Sequence, residues 1–209
     1  MRLFLTFVLL LSGALAQAAK VPTVLVFGDS LSAGFGIDVD QSWVALLQSR
    51  LASQGYEHRV INASISGETT EGGKTRIGPA LERFEPALLI LELGGNDGLR
   101  GFPPEVMKKN LAAIIQAAKQ HDTDVVMLGI RIPSNYGARY TQAFEGVYRD
   151  LAAELSVPWI EFFMDGVALN DELMQDDGIH PNESAQEILL DNAWPIIREA
   201  LTERAARSQ

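Results

Sequence analysis

The feature that most constrains the fold is a regular alternation of short apolar segments with longer segments of mixed polarity. The apolar segments span residues 23–27, 59–63, 88–92, 124–129 and, more weakly, 158–162. Runs of about five apolar residues are typical of strands that are buried on both faces of a parallel sheet.

The longer segments predict helices over roughly residues 42–54, 72–84, 104–121 and 140–155, with a last helix over 182–203. Pro103 and Pro104 mark a helix start, because the first helical turn does not use the N–H that proline lacks. Repeated strand–helix order implies right-handed crossovers and helices on both faces of the sheet. Since no repeat or linker interrupts this order, we expect one α/β domain over residues 20–209.

The composition excludes several kinds of chemistry and of partner. The 209 residues contain no cysteine, so the chain has no disulfide, no thiol nucleophile and no iron–sulfur cluster. The formal net charge is −10, and lysine and arginine form no run. This balance argues against binding of nucleic acid, which requires clustered basic side chains.

The first residues are typical of a secretory signal peptide. Arg2 precedes an apolar run over residues 3–11, and Ala16 and Ala18 supply the small residues that a signal peptidase requires. The alternative is an uncleaved membrane anchor, which needs about 20 apolar residues, roughly twice the length of this run. We therefore expect residues 1–19 to be cleaved and the protein to be periplasmic or secreted.

The loops that follow the apolar segments are polar and rich in glycine. In open parallel sheets, ligands bind beyond the carboxyl ends of the strands. The chemistry is therefore expected in residues 28–32, 64–67, 94–97 and 131–133.

Ser30 is the candidate nucleophile, because it directly follows a predicted buried strand. At such a turn the hydroxyl can face outward while backbone N–H groups point toward a substrate. The alternative is that Ser30 only caps a turn or helix.

A serine nucleophile needs a base, and the base needs an acid that orients it. Of the histidines, His58 lies before the second strand and His121 at a helix end, which leaves His180 as the candidate base. Asp177 lies three residues upstream and can reach the imidazole across a turn. The alternatives are a helix cap and a metal site, although one histidine without cysteine would bind a transition metal poorly.

Acyl transfer also needs hydrogen-bond donors for a developing oxyanion. Gly67 can present its backbone N–H, Asn96 has a side-chain amide, and Ser30 has its own N–H. Alternatively, Gly67 and Asn96 serve only as turn residues.

These residues lie in four short motifs that resemble the blocks of the SGNH hydrolases, also called GDSL esterases and lipases. The motifs are residues 28–32 with Ser30, Gly67 within 66–70, residues 94–97 with Asn96, and residues 177–181 with Asp177 and His180. One block would be a weak signal, but all occur in order over nearly the whole mature chain. Residues 130–137 and 174–182 further resemble the branch of periplasmic thioesterases, lysophospholipases and arylesterases.

The resemblance implies a three-layer α/β/α fold with a five-stranded parallel sheet. It implies a Ser30–His180–Asp177 triad, an oxyanion hole of Ser30, Gly67 and Asn96, and hydrolysis of esters and acyl thioesters without metal or cofactor. Residues 99–104 fall where that branch has a mobile loop touching the acyl chain.

These expectations predict the substrates and partners of the protein and a groove that binds the acyl chain. We expect a monomer that acts on small acyl esters or thioesters, with lysophospholipid as a candidate, and that binds no nucleic acid and does not insert stably into a membrane. The rival functions are a carbohydrate O-acetyl esterase and a catalytically dead lipid-binding module. Apolar residues near the site, which could equally be core, would line the groove: Leu31, Ile65, Leu99, Phe102, Ile132, Tyr136 and Ile179.

Overall fold

Five parallel strands form the centre of the fold. The structure is a computed structural model and describes residues 21–207, so the predicted signal peptide lies outside the described residues. The strands are β1 (Thr23–Gly28), β2 (Arg59–Asn62), β3 (Leu88–Glu92), β4 (Asp124–Leu128) and β5 (Trp159–Ile160). They pair in the order β2-β1-β3-β4-β5, and every pair is parallel. The predicted five-stranded parallel sheet is confirmed.

Burial differs between the inner and outer strands. Every residue of β1 and β3 is buried, which the apolar residues of these strands predict, and the burial extends to the polar Glu92 at the end of β3. The outer strands β2 and β5 have no buried residue, so burial on both faces is the wrong expectation for these two. An edge strand has a neighbour on one side only, which leaves its other side accessible to solvent.

Two layers of helices cover the sheet. The helices are α1 (Ser30–Ala33), α2 (Trp43–Ser53), α3 (Thr70–Phe84), α4 (Gly95–Leu99), α5 (Pro104–Gln120), α6 (Ala138–Leu155) and α7 (Gln186–Arg207). Helix α5 packs against α3 and α6, whereas α2 packs against α7. The crossover from β1 to β2 runs opposite to the later crossovers, so right-handed connections place α2 on the other face from α3, α5 and α6.

The strand order creates a crevice at the carboxyl ends of β1 and β3. After β1 the chain proceeds to one side of the sheet, to β2, and after β3 it proceeds to the other side, to β4. Loops that leave in opposite directions open a cleft between them, which is where ligands bind in such sheets. The loops with Ser30 and Asn96 start at this point.

The main departures from the predicted elements are a shorter fifth strand, earlier starts of α3 and α6, two short helices and a late start of the last helix. Helices α1 and α4 have 4 and 5 residues, which is too short for an apolar face that periodicity could detect. The last helix begins at Gln186 rather than at Asn182, because Asn182 caps a short 3-10 turn, Glu183–Ala185, that precedes it. No helix within residues 21–207 is long and apolar enough to cross a membrane.

Candidate active site

Ser30 is the first residue of α1, directly after β1. The Asp29 side chain caps this helix, since its Oδ1 accepts a hydrogen bond from the Leu31 N–H at 3.1 Å. The helix ends after one turn at Gly34, whose φ of 75° suits glycine. The strand end and the cap together hold the half-buried Ser30 at the crevice.

A line of close contacts connects Ser30, His180 and Asp177. The Ser30 Oγ lies 2.9 Å from His180 Nε2, and His180 Nδ1 lies 2.6 Å from Asp177 Oδ2. Ser30 and His180 are 150 positions apart in the chain, so only the fold brings them together. This is the arrangement of a nucleophile, a base and an orienting carboxylate.

The Asp177 carboxylate is held in place by a local turn. Its Oδ1 accepts hydrogen bonds from the N–H groups of Ile179 and His180, at 2.9 and 3.0 Å. The hydrogen bond with the His180 ring, followed by these backbone bonds, lowers the pKa of Asp177 to about 2. Asp177 is therefore ionised near neutral pH and can stabilise a positively charged imidazole.

Phe35 contacts the candidate base and was not among the residues predicted from the sequence. Its ring lies 4.4 Å, centroid to centroid, from the His180 ring, and it is 48% exposed. The Phe35 carbonyl accepts a hydrogen bond from Gln175 Nε2 at 2.7 Å, which fastens this loop to the His180 loop. The signal in the sequence is an aromatic residue between two glycines, Gly34 and Gly36, and both glycines adopt positive φ in the structure.

The predicted oxyanion donors occupy the two loops beside Ser30. Within residues 21–207 the N–H groups of Ser30 and Gly67 donate no hydrogen bond, so both are available to a ligand. Asn96 Nδ2 donates one hydrogen bond to Asp29 Oδ2 at 3.1 Å, which leaves its second amide hydrogen available. Arg100 Nη2 donates to the Gly67 carbonyl at 3.1 Å and so connects these loops.

The Asp97 side chain anchors the start of α4, which carries Asn96. Its buried carboxylate accepts hydrogen bonds from the Thr70 N–H at 2.9 Å and from the Thr70 hydroxyl at 2.5 Å. These bonds join the start of α4 to the start of α3. In the sequence Asp97 is visible only as the neighbour of Asn96.

The predicted groove residues divide into a buried and an accessible set. Leu31 and Ile132 are buried in the core, and Leu99 is half-buried. The others are exposed: Ile65, Phe102, Tyr136 and Ile179. The accessible set is the part that a substrate could reach.

Two tyrosines support the loop between α4 and α5. Tyr136 Oη donates a hydrogen bond to the Leu99 carbonyl at 2.7 Å, and Tyr140 Oη donates one to the Phe102 carbonyl at 2.7 Å. Part of this loop is thus held by side chains from the segment around α6.

Within residues 21–207, no group of three His, Asp or Glu side chains is arranged to hold a metal ion.

Comparison with known proteins gives consistent results. A profile of the GDSL-like Lipase/Acylhydrolase family matches residues 26–188. The chain is 50% identical over 198 residues to Esterase TesA of Pseudomonas aeruginosa, which covers 92% of this chain and 98% of that protein. It is 44% identical over 175 residues to Thioesterase 1/protease 1/lysophospholipase L1 of Escherichia coli, with coverage of 84% and 83%. A crystal structure of TesA superposes with a TM-score of 0.84 at 49% identity, covering 85% of this chain and 99% of that one.

The chain therefore belongs to the GDSL-like lipase/acylhydrolase family, the SGNH hydrolases, whose sequence blocks and α/β fold it carries. It is an enzyme, a carboxylic ester hydrolase. Within the family it is similar to proteins named esterase, thioesterase, lysophospholipase and arylesterase.

Proposed function

We propose that this enzyme hydrolyses acyl esters and thioesters through a Ser30–His180–Asp177 triad and an acyl-enzyme intermediate. The observation that carries the proposal is the pair of contacts at 2.9 Å and 2.6 Å that joins the serine hydroxyl, the imidazole and the carboxylate. A hydroxyl beside an imidazole, with an ionised carboxylate behind it, is equipped for nucleophilic attack on a carbonyl.

In the first half of the reaction, Ser30 Oγ attacks the acyl carbonyl and His180 Nε2 accepts the hydroxyl proton. Asp177 accepts a hydrogen bond from Nδ1–H, which selects the tautomer with Nε2 free and stabilises the imidazolium that forms. His180 then donates the proton to the leaving oxygen or sulfur. The carbon–oxygen or carbon–sulfur bond breaks and the acyl group remains on Ser30.

In the second half, water replaces the alcohol or thiol. His180 removes a proton from the water as its oxygen attacks the acyl-enzyme carbonyl. Collapse of the tetrahedral intermediate returns the proton to Ser30 Oγ and releases the carboxylic acid. The N–H groups of Ser30 and Gly67 and the amide of Asn96 bind the oxyanion in both halves.

The substrate class follows from the relatives and from the surface beside Ser30. Proteins similar to this chain are named thioesterase, lysophospholipase and arylesterase, and we propose the same bonds for this enzyme. The exposed Ile65, Phe102, Tyr136 and Ile179 are the proposed contacts for the acyl chain, with Leu99 at the base of the loop. With residues 1–19 cleaved as a signal peptide, the enzyme would act as a periplasmic or secreted monomer on esters and lysophospholipids.

The test is hydrolysis of p-nitrophenyl esters from acetate to palmitate by the purified protein, beside its Ser30→Ala variant. We expect turnover that requires Ser30 and that is highest at medium chain length. A maximum at acetate would instead indicate deacetylation of carbohydrates. Absence of turnover on every ester would refute the proposal and favour a lipid-binding role.

Of the three proposed oxyanion donors, only Asn96 donates from its side chain, so a substitution can remove this donor without changing a triad residue. Asn96→Ala should lower kcat by about 10²–10³-fold with little change in KM, because the donor binds the transition state more tightly than the substrate. Steady-state kinetics on p-nitrophenyl butyrate measure this effect. Asn135→Ala, at an exposed position in the short 3-10 turn Ser134–Tyr136, is the matched control and should retain full activity. An unchanged kcat for Asn96→Ala would remove this residue from the oxyanion hole.

The proposed acyl contacts predict a change in chain-length preference. Combined replacement of Phe102 and Ile179 by alanine should lower kcat/KM for long acyl chains more than for acetate, because only long chains reach these side chains. One side chain of this size contributes about 1.5–3 kcal/mol when fully buried, so a tenfold loss is a reasonable minimum. Val21→Ala, an exposed apolar position at the amino end of β1, is the control. An equal loss across all chain lengths would contradict the groove.

A further inference from the structure

A buried carboxyl group lies directly beneath the candidate nucleophile. Glu92 is the last residue of β3, is 0% exposed, and pairs in register with Gly28 of β1. Its Oε2 accepts a hydrogen bond from the Ser32 hydroxyl at 2.7 Å and a longer one from the Asp29 N–H at 3.3 Å. These two donors flank Ser30 on either side, so one carboxyl oxygen fastens both ends of its turn.

The sequence around Glu92 is adapted to this contact. A Cβ atom at Gly28 would lie 2.6 Å from Glu92 Oε2, which is closer than carbon and oxygen can approach. Glycine at position 28 therefore leaves the space that the carboxyl group occupies. The same Cβ would also lie 2.8 Å from the Glu92 backbone carbonyl oxygen and 2.9 Å from the Ser32 hydroxyl, so glycine at this position permits the close approach of the two strand ends as well as that of the carboxyl group.

A second buried carboxyl group connects this turn to the oxyanion loop. Asp29 is 2% exposed, and its Oδ2 accepts the hydrogen bond from the Asn96 amide. The Asp29 N–H in turn donates to Glu92, which gives a chain of contacts from Glu92 through Asp29 to Asn96. None of the ion pairs found within residues 21–207 includes Asp29 or Glu92.

The surroundings of Glu92 favour its neutral form. Its Oε1 is buried and has no hydrogen-bond partner among the described residues, so an ionised carboxylate would leave a charged oxygen unsolvated. Burial first, and the charge of Asp29 second, raise the pKa of Glu92 well above its usual value. Burial also raises the pKa of Asp29, to about 6.

Other titratable groups face this carboxyl pair from neighbouring elements. The charge of Asp97 raises the pKa of Asp29, whereas His180 lowers it. Burial first, and then the charges of Glu92 and Asp29, raise the pKa of Tyr148 well above its usual value. Around the carboxyl pair as a whole, acidic groups therefore outnumber the one histidine, which again disfavours a second buried negative charge.

We propose that Glu92 is a positioning residue that stays protonated in the working enzyme and, as a neutral acid, holds the Ser30 turn and the Asp29 support of Asn96. The proposal rests on the proposed function of Ser30 and Asn96. A neutral acid provides the two hydrogen-bonding contacts without adding negative charge behind a site where an oxyanion develops. An ionised Glu92 would provide the same contacts but would oppose that charge.

The first test compares Glu92→Gln with Glu92→Ala. Glutamine retains a carbonyl oxygen that can accept from Ser32 and Asp29, so we expect kcat on p-nitrophenyl butyrate within about threefold of the wild type. Alanine removes the acceptor, so kcat should fall tenfold or more with a smaller change in KM. Glu187→Gln, an exposed position on α7, controls for loss of a negative charge. A Glu92→Gln variant as impaired as Glu92→Ala would overturn the proposal.

The second test measures the protonation state of Glu92 through the pH dependence of stability. It requires neither an activity assay nor the alanine variant. A carboxyl group released by unfolding loses its proton above about pH 4.3, whereas a protonated Glu92 keeps its proton in the folded state. The wild type should therefore lose stability relative to Glu92→Gln as pH rises from 5 to 8. The ratio of their unfolding constants should change by up to tenfold per pH unit, measured by urea denaturation.

The outcomes separate this proposal from the proposed function. A ratio of unfolding constants that does not change with pH would show that Glu92 ionises normally and would overturn the protonated state. Glu187→Gln should show no such trend relative to the wild type. If Ser30→Ala retained turnover, the function proposed for Ser30 would fail, while the pH-dependent stability would still report the proton on Glu92.

Discussion

Replacing Ser30 by alanine is expected to lower kcat on p-nitrophenyl butyrate by on the order of 10⁶-fold, because no other group can form the acyl-enzyme. The substitution removes only the Ser30 hydroxyl, whose Oγ lies 2.9 Å from His180 Nε2. Circular dichroism should remain that of the wild type, since the cap of α1 is made by Asp29 rather than by Ser30. The small remaining rate would come from the oxyanion donors and from substrate binding.

Two controls sharpen this experiment. Ser134→Ala removes a hydroxyl at an exposed position and should keep full activity. An organophosphonate ester, which reacts with activated serine, should add one covalent group to the wild type and none to Ser30→Ala, as read by intact mass spectrometry. A labelled and active Ser30→Ala variant would exclude Ser30 as the nucleophile.

Replacing Asp177 by asparagine is expected to lower kcat by about 10⁴-fold near neutral pH. The asparagine oxygen can still accept from the N–H groups of Ile179 and His180, so the turn should be kept. The amide nitrogen would then face His180 Nδ1 in place of the acceptor at 2.6 Å. Two donors cannot face each other, so the ring would adopt the tautomer that has its proton on Nε2 and cannot act as a base.

The neighbouring Asp176 provides a matched control for Asp177. Asp176 is exposed, and Asp176→Asn makes the same change of charge one residue away. It should leave kcat within twofold of the wild type. Equal losses in both variants would mean that net charge or folding of the loop, rather than orientation of the imidazole, explains the effect.

The class of fold and the positions of the site loops are predictable from the sequence because both depend on local patterns. Buried parallel strands need short apolar runs, and the loops at their ends need polar residues and glycine. The contact between Asp177 and His180 is likewise local, since it spans a turn of three residues. The predicted boundaries of β3, residues 88–92, match the structure, because they follow from the local apolar pattern of this strand.

Other features depend on which elements become neighbours. The half-exposed edges β2 and β5 follow from the strand order, and no segment records its own place in that order. Leu31, in the short helix α1, and Ile132, in the loop after β4, flank the site, yet both are buried because neighbouring elements cover them. Phe35 contacts His180 in the folded chain, where a hydrogen bond from the Gln175 side chain to the Phe35 carbonyl joins their loops.

The sequence by itself determined the alternation of strands and helices, the polar loops at one sheet edge and which residues are the candidates for the reactive groups, since each is encoded within a few neighbouring residues. Only the tertiary structure decided that Ser30 meets His180 across 150 positions and that Glu92 lies beneath them without solvent. In the sequence Glu92 is a polar residue at a strand end, where exposure to water is common. Its burial beside Gly28 arises from the pairing of β1 with β3, and distance from solvent is a property of the assembled fold.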